Sequence, residues 1–95
     1  MKKQAVVIDP HDNVATLVDD FAADTLIHFF LGGSEQSILL LQDIPLGHKF
    51  ALRDIKPKEK IIKYAESIGV ATTLILAGQH VHVHNMESQR GRANQ

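Results

Sequence analysis

Cysteine and tryptophan are both absent from this 95-residue sequence. Disulfides, thiolate zinc sites and cysteine nucleophiles are therefore excluded. An excess of either charge is also lacking: Lys plus Arg is 10, Asp plus Glu is 11, and the net charge is -1. That balance leaves no electrostatic footprint for nucleic acid and no basic face for an anionic membrane. No apolar run approaches the roughly 18–20 residues that span a bilayer. The N-terminus carries Lys2-Lys3, but the apolar run behind it, Ala5-Val6-Val7-Ile8, is four residues long. A signal peptide needs about 7–15, so a cytoplasmic location is expected. What remains is 44% hydrophobic with a mean hydropathy of -0.06, the composition of one small globular domain. Histidine stands out, with 6 copies.

Ala5–Ile8 is a β-branched run stopped by Asp9-Pro10, and reads as a first strand. Asp12 then offers an N-cap, and Val14, Leu17 and Val18 follow at i, i+3, i+4. This spacing predicts a short helical segment near residues 12–20, with a strand as the alternative. Thr25–Leu31 and Ser37–Leu41 are apolar runs around Gly32-Gly33 and the polar stretch Ser34–Gln36, as in a hairpin with a longer loop. Lys58–Gly69 has helix-like charges, but Ile61–Tyr64 is taken as a strand because of the repeat described next. The whole reads as mostly β.

Asp43–Phe50, Asp54–Ile61 and Leu74–Val81 form a weak internal repeat. Each copy has an apolar anchor, a turn, one or two polar residues, then a strand-forming residue. Gly47 and Gly78 suit the turn, whereas Lys58 takes the glycine position in the second copy and suggests another turn type there. Residues 87–95 form a polar tail without periodicity, expected to be disordered by itself, beyond a domain spanning residues 1–86.

The sharpest local signal is His80-Val81-His82-Val83-His84. Strand alternation places the three histidines on one face and Val81 and Val83 on the other. Two histidines at i and i+2 can share a metal if a further ligand comes from elsewhere. The outer pair lies about 13 Å apart at the backbone, which makes a site built from all three difficult. The plain alternative is a solvated polar face above two core valines. His48 follows the glycine of the first copy and precedes Lys49, a pairing that can present an imidazole and an ammonium to an anion. Lys63-Tyr64 offers a cation and a phenol in the second copy, with packing of Tyr64 as the alternative. Asp9, His11 and Asp12 cluster at the first turn, where turn and cap chemistry outweigh a general-base role. His28 reads as a histidine at the edge of the core.

Taken together, Asp12–Ala15, Asp43–Leu52, Ile62–Tyr64 with Ile68-Gly69, Gly78–Asn85, and Glu87 with Arg90-Gly91-Arg92 resemble the small subunit, or N-terminal SAF domain, of the altronate/galactarate dehydratase family. The resemblance covers residues 5–92. It implies a β-clip fold and a role as the non-autonomous small subunit of a hydro-lyase. Such an enzyme eliminates water from an altronate- or galactarate-type acid to give a 2-keto-3-deoxy acid. It also implies a divalent metal, Fe2+ or Mg2+, held mainly by a large catalytic subunit that is the expected partner, alongside possible self-association.

Carried onto this sequence, the resemblance assigns catalytic roles to His48, Lys63, His82 and His84, and substrate contacts to Lys49, Tyr64 and Asn85. His82 and His84 become candidate metal ligands, and Arg90 and Arg92 tethers to the partner. The sequence departs from the pattern at Ala65, where relatives usually have glycine, and at Thr16. Phe21–Ser37 matches least. A sulfolactate sulfo-lyase small subunit and a non-catalytic module binding carbohydrate, metal or protein are the alternatives. SAF domains occur in unrelated settings, so fold by itself does not choose among them.

Overall fold

The computed structural model describes residues 3–88, in which short β-branched runs separated by tight turns form strands and no helix. In chain order these are β1 (Ala5–Val6), β2 (Val14–Leu17), β3 (Leu26–Leu31), β4 (Ser34–Leu39), β5 (Lys49–Ala51), β6 (Lys60–Lys63), β7 (Glu66–Ala71), β8 (His80–Val81) and β9 (Met86–Ser88). All pairings are antiparallel, in a sheet ordered β1-β2-β5-β8, a β3-β4 hairpin, and a sheet ordered β6-β7-β9. The mostly-β expectation holds.

The helical segment near residues 12–20 does not form. Val14–Leu17 is instead a strand, paired with β1 on one side and β5 on the other. Its helical spacing was misleading because β2 is covered on both faces. Ala15 and Leu17 enter one core with Ala5, Ile27, Phe29, Leu40, Ile44 and Phe50. Val14 enters the other with Ala51, Ile55, Ile61, Ala71, Ile75 and Val81. A strand buried on both sides loses the alternation that normally marks it. Phe29 and Phe50 meet edge to face, with centroids 6.2 Å apart, and burying each contributes about 1.5–3 kcal/mol. Phe21 is only partly buried and Phe30 stays exposed.

The hairpin is tighter than expected. Ser34–Gln36 belong to β4, and Gly32-Gly33 alone make the turn, with φ of 60° and 84°. Two successive positive φ values are what a two-residue type I′ turn requires. A second such turn joins β6 to β7 at Tyr64 and Ala65, with φ of 54° and 68°, so the strand ends at Lys63 rather than Tyr64. Strand β9 carries pairing to Ser88, inside the stretch read as tail. Arg90 and Arg92 lie outside the described residues.

The turn-and-strand repeat has four copies, the additional one being Asp20–Ile27. Phe21 bridges Ile44, and Ile55 bridges Ile75, which couples the copies into two pairs. In every copy the residue after the turn donates its N–H back across it: Thr25 to Ala22 O, His48 to Pro45 O, Glu59 to Lys56 O, and Gln79 to Leu76 O. The preceding residue always has positive φ: Asp24 68°, Gly47 82°, Lys58 71°, Gly78 86°. Lys58 therefore adopts the conformation of the glycines, and its turn is not of another type. Its N–H donates to Ala71 O at 2.7 Å, which helps hold the left-handed conformation.

Side-chain caps follow the same symmetry. Asp20 accepts the N–H of Leu46, and Asp43 that of Ala23, so the first pair exchanges caps. In the second pair Asp54 accepts the N–H of Ala77. The reciprocal donor position is Pro57, which has no N–H, and the reciprocal acceptor position is Leu74. Loss of the donor removes the need for the acceptor.

Candidate functional site

The end of the β5–β8 pair gathers the histidines. Lys49 faces Val81 and Phe50 faces His80, so one further step along this register sets His48 opposite His82. The His48 and His82 rings stack with centroids 4.6 Å apart. His48 Nδ1 and His80 Nε2 share a hydrogen bond of 2.9 Å. His80 also lies 5.5 Å from the His82 ring, nearly parallel to it, and 5.3 Å from that of His84. One ring nitrogen from each of His48, His80 and His82 falls within 4.8 Å of the others.

The backbone beneath these rings is pinned. Strand β8 ends at Val81, and the chain then turns through His82 to Asn85. The expected strand through His84 is therefore corrected: Val81 is buried, but Val83 is 77% exposed. Asn85 explains the turn. Its Oδ1 accepts the N–H of His82 at 3.0 Å, and its Nδ2 donates to His80 O at 2.8 Å. At 1% exposure with both amide groups engaged, Asn85 lies under the loop and has nothing to offer a ligand. The N–H of His80 donates to Gln42 Oε1 at 2.9 Å.

His48 is available because of Pro45. In the third and fourth copies the equivalent residues, Glu59 and Gln79, bend back to accept the N–H of Lys56 and Leu76. Pro45 has no N–H to satisfy, and the side chain at position 48 can serve elsewhere.

Two lysines complete the neighbourhood. Burial lowers the pKa of the half-buried Lys49 below its ordinary value, and the nearby Lys63 ammonium adds to this. The Lys63 ammonium lies 5.0 Å from the Tyr64 ring centroid, and Tyr64 is exposed. The Lys63–Tyr64 corner is held by buried polar residues. Asn13 donates to Lys60 O and accepts the N–H of Ile62, while Asp12 Oδ1 accepts the N–H of Ala65. Asp12 is thus a buried acceptor rather than a helix cap.

Burial pushes His80 down to about 4, with further contributions from the neighbouring imidazoles and Lys49. His82 is lowered by the same kinds of interaction. Both shifts favour the uncharged ring, which can offer a lone pair. Imidazole nitrogen donors suit a borderline transition metal; Mg2+ prefers oxygen. The 2.9 Å between His48 and His80 is close to the about 3 Å separating two nitrogens at right angles on an ion bound at about 2.1 Å. The donor set fits Fe2+ and does not favour Mg2+.

The other polar clusters are simpler. His11 Nδ1 lies 3.0 Å from Asp9 Oδ1 on the surface, and His28 Nδ1 lies 3.6 Å from Glu35.

A family model described as the altronate/galactarate dehydratase SAF domain matches residues 3–89. The chain belongs to this family. The SAF domain is 43% identical over 82 residues to altronate dehydratase of Escherichia coli K12, covering 86% of this chain and 16% of that protein. It is 49% identical over 47 residues to the (2R)-sulfolactate sulfo-lyase subunit alpha of Chromohalobacter salexigens, half of each chain. The corresponding subunit of Paracoccus pantotrophus is 46% identical over 48 residues, half of this chain and 72% of that one. The SAF domain thus spans a small part of the dehydratase and half of the first sulfo-lyase subunit.

Of the residues singled out in the sequence, His48 and His82 meet directly, Lys49 and Lys63 stand nearby, and His84 sits outside the three-nitrogen group. Sequence reasoning underrated His80, the ring that touches the other three. No local spacing marks it: its contacts come from the register of the second and fourth copies, which sets their strands side by side.

Proposed function

We propose that this SAF domain forms one wall of a lyase active site, completed by a large catalytic subunit. The reaction is elimination of water from an altronate- or galactarate-type acid to give a 2-keto-3-deoxy acid. The observation that carries this reading is the grouping of three imidazoles beside two ammonium groups at the end of β5 and β6. An aldonate or aldarate presents a carboxylate and vicinal hydroxyls, and both kinds of group find complementary partners there.

In this scheme Lys49 and Lys63 attract and orient the substrate carboxylate, and Tyr64 lies beside the Lys63 ammonium. A positioned carboxylate next to fixed ammonium groups stabilises the charge that develops when the adjacent carbon loses its proton. An imidazole of this cluster that holds no ion is suited to accept or return a proton. The C–H bond breaks, its electron pair forms the C=C bond, and the β-hydroxyl leaves with a proton as water; the enol then becomes the keto acid. A bound Fe2+ would supply Lewis-acid polarisation of substrate oxygens. His84 lies beside His80, and Asn85 supports the loop.

Elimination of sulfite from a sulfolactate-type acid is the second reading. It is favoured by the two sulfo-lyase alpha subunits at 46–49% identity, of which this chain covers 50–72%. Tagged chain recovered from its native cell extract, assayed on altronate, galactarate and sulfolactate with added Fe2+ or Mg2+, separates these. A co-purifying large subunit with 2-keto-3-deoxy acid production supports the dehydratase. Sulfite release supports the second reading. Recovery of the chain by itself, inactive on all three acids, overturns both in favour of a binding module.

A further inference from the structure

We propose that His48, His80 and His82 form a transition-metal site that this chain holds by itself, with Asn85 as its positioning residue and His84 outside the ligand set. The site differs from the sequence expectation twice over: the ligands are not the His82–His84 pair, and the ion does not depend on a large subunit.

Two observations and one consequence converge. One ring nitrogen of each residue already lies within 4.8 Å of the others, on strand ends that the β5–β8 pairing fixes side by side. No described carboxylate joins the group, which leaves an all-imidazole donor set. Such a set suits Fe2+, Co2+ or Zn2+ and is a poor match for Mg2+ or Ca2+, which take oxygen ligands. Three protein ligands also leave coordination positions open, as in sites that act on a bound molecule rather than close a fold.

The support is built into the fold. His48 leaves a β-turn and leads directly into β5, while His80 lies in β8, paired with that strand. Asn85 ties the backbone of His80 to that of His82 through one buried side chain, and Gln42 accepts the N–H of His80. Residues that orient ligands in this way raise metal affinity by about 10–100-fold. His84 follows the bend and is exposed, with its ring 5.3 Å from that of His80 and outside the three-nitrogen group. An ion held by His82 takes that ring out of proton transfer and leaves His84 as the exposed, unligated imidazole of the cluster.

The test uses the purified full chain, without partner or substrate, so its result is separate from the elimination assay. Co2+ is titrated and followed by visible absorption and calorimetry. The expected result is one ion per chain, unaffected by millimolar Mg2+. His80→Ala and His82→Ala abolish the cobalt spectrum, His84→Ala retains it, and Asn85→Ala weakens binding by about 10–100-fold. Because a variant can fail to fold, each is checked by circular dichroism. The wild-type chain is also titrated with Zn2+ while imidazole NMR signals are recorded. Signals of His48, His80 and His82 shift together, and those of His11 and His28 stay in place. Substoichiometric cobalt, displacement by Mg2+, loss of binding in His84→Ala, or zinc shifts spread evenly over all histidines would each overturn the proposal.

Discussion

Pro45 stands to His48 as Lys56 stands to Glu59 and Leu76 to Gln79, with the side-chain hydrogen bond deleted. In the latter two turns a Glu or Gln oxygen accepts an N–H at 2.9 Å. In the first, proline has no N–H, and the side chain that would have served as a cap is an imidazole facing His80. A single residue type thus converts one structural turn of a repeated fold into part of a candidate site.

A double-mutant cycle tests this relation. His48→Glu in the presence of Pro45 has no donor to cap. With Pro45→Ala also made, the introduced carboxylate gains the bond that Glu59 makes. The expected coupling is about 0.5–1.5 kcal/mol in urea unfolding, the usual worth of one such hydrogen bond. Additive single and double variants would show that the proline did not free position 48.

Asn85 gives the second prediction. Replacing it with alanine leaves His82 N–H and His80 O without their buried partner. The expected cost is about 1–3 kcal/mol, read as a lower urea midpoint. The substitution should also release the His82–Asn85 turn, seen as faster amide exchange at His82. Retention of both stability and protection would remove Asn85 from its positioning role.

These relations mark how far the sequence could be read. The strands flanked by strong turn signals were legible, because Gly47 and Gly78 announce their turns. The copy at Asp20–Ile27 was hidden because Asp24 holds the left-handed position in place of glycine. Strand β2 was hidden because burial of both faces erased its alternation. His48, Lys49, Lys63 and His82 were visible as motifs, but their meeting depends on the β5–β8 register and on the Asn13 bonds that hold β6 against β2. The β5–β8 register is set by hydrogen bonds between residues far apart in the chain, which local spacing does not encode. Asn85 was visible as a polar residue after the histidines; its burial was not.

Ala65 carries the third prediction. Its φ of 68° places a Cβ-bearing residue in the left-handed region, which costs about 1–2 kcal/mol relative to the right-handed one. Its N–H is fixed by Asp12 at 2.8 Å. Ala65→Gly should therefore stabilise the chain by up to about 1 kcal/mol, read as a raised melting temperature. Gly78→Ala should do the opposite and more strongly, because the new Cβ meets the Leu39 carbonyl oxygen as well as a φ of 86°. A neutral Ala65→Gly would mean that the extra backbone entropy lost in fixing a glycine offsets the relief of strain.

The pH dependence of the metal-free chain follows from His80. Its folded-state pKa is about 4, below the ordinary value of 6.5, because burial and neighbouring imidazoles disfavour the charged ring. Between these values the unfolded chain binds more protons at this residue than the folded chain, so stability rises with pH across the window. The contribution is fully present above about pH 6.5 and is lost as pH falls through about 4. At 1.36 kcal/mol per pH unit the full shift would be worth about 3 kcal/mol. His80 is partly exposed, and solvent screening reduces this to about 1 kcal/mol. Carboxylates titrate in the lower part of the same window, so the measurement is a difference between two proteins. Urea unfolding of the wild type and of His80→Gln at about pH 7 and about pH 5, both in chelator, isolates the histidine. The wild type should lose more stability than the variant on acidification. Parallel losses would show that His80 titrates alike in the folded and unfolded chain, and that the imidazole cluster does not exclude its proton.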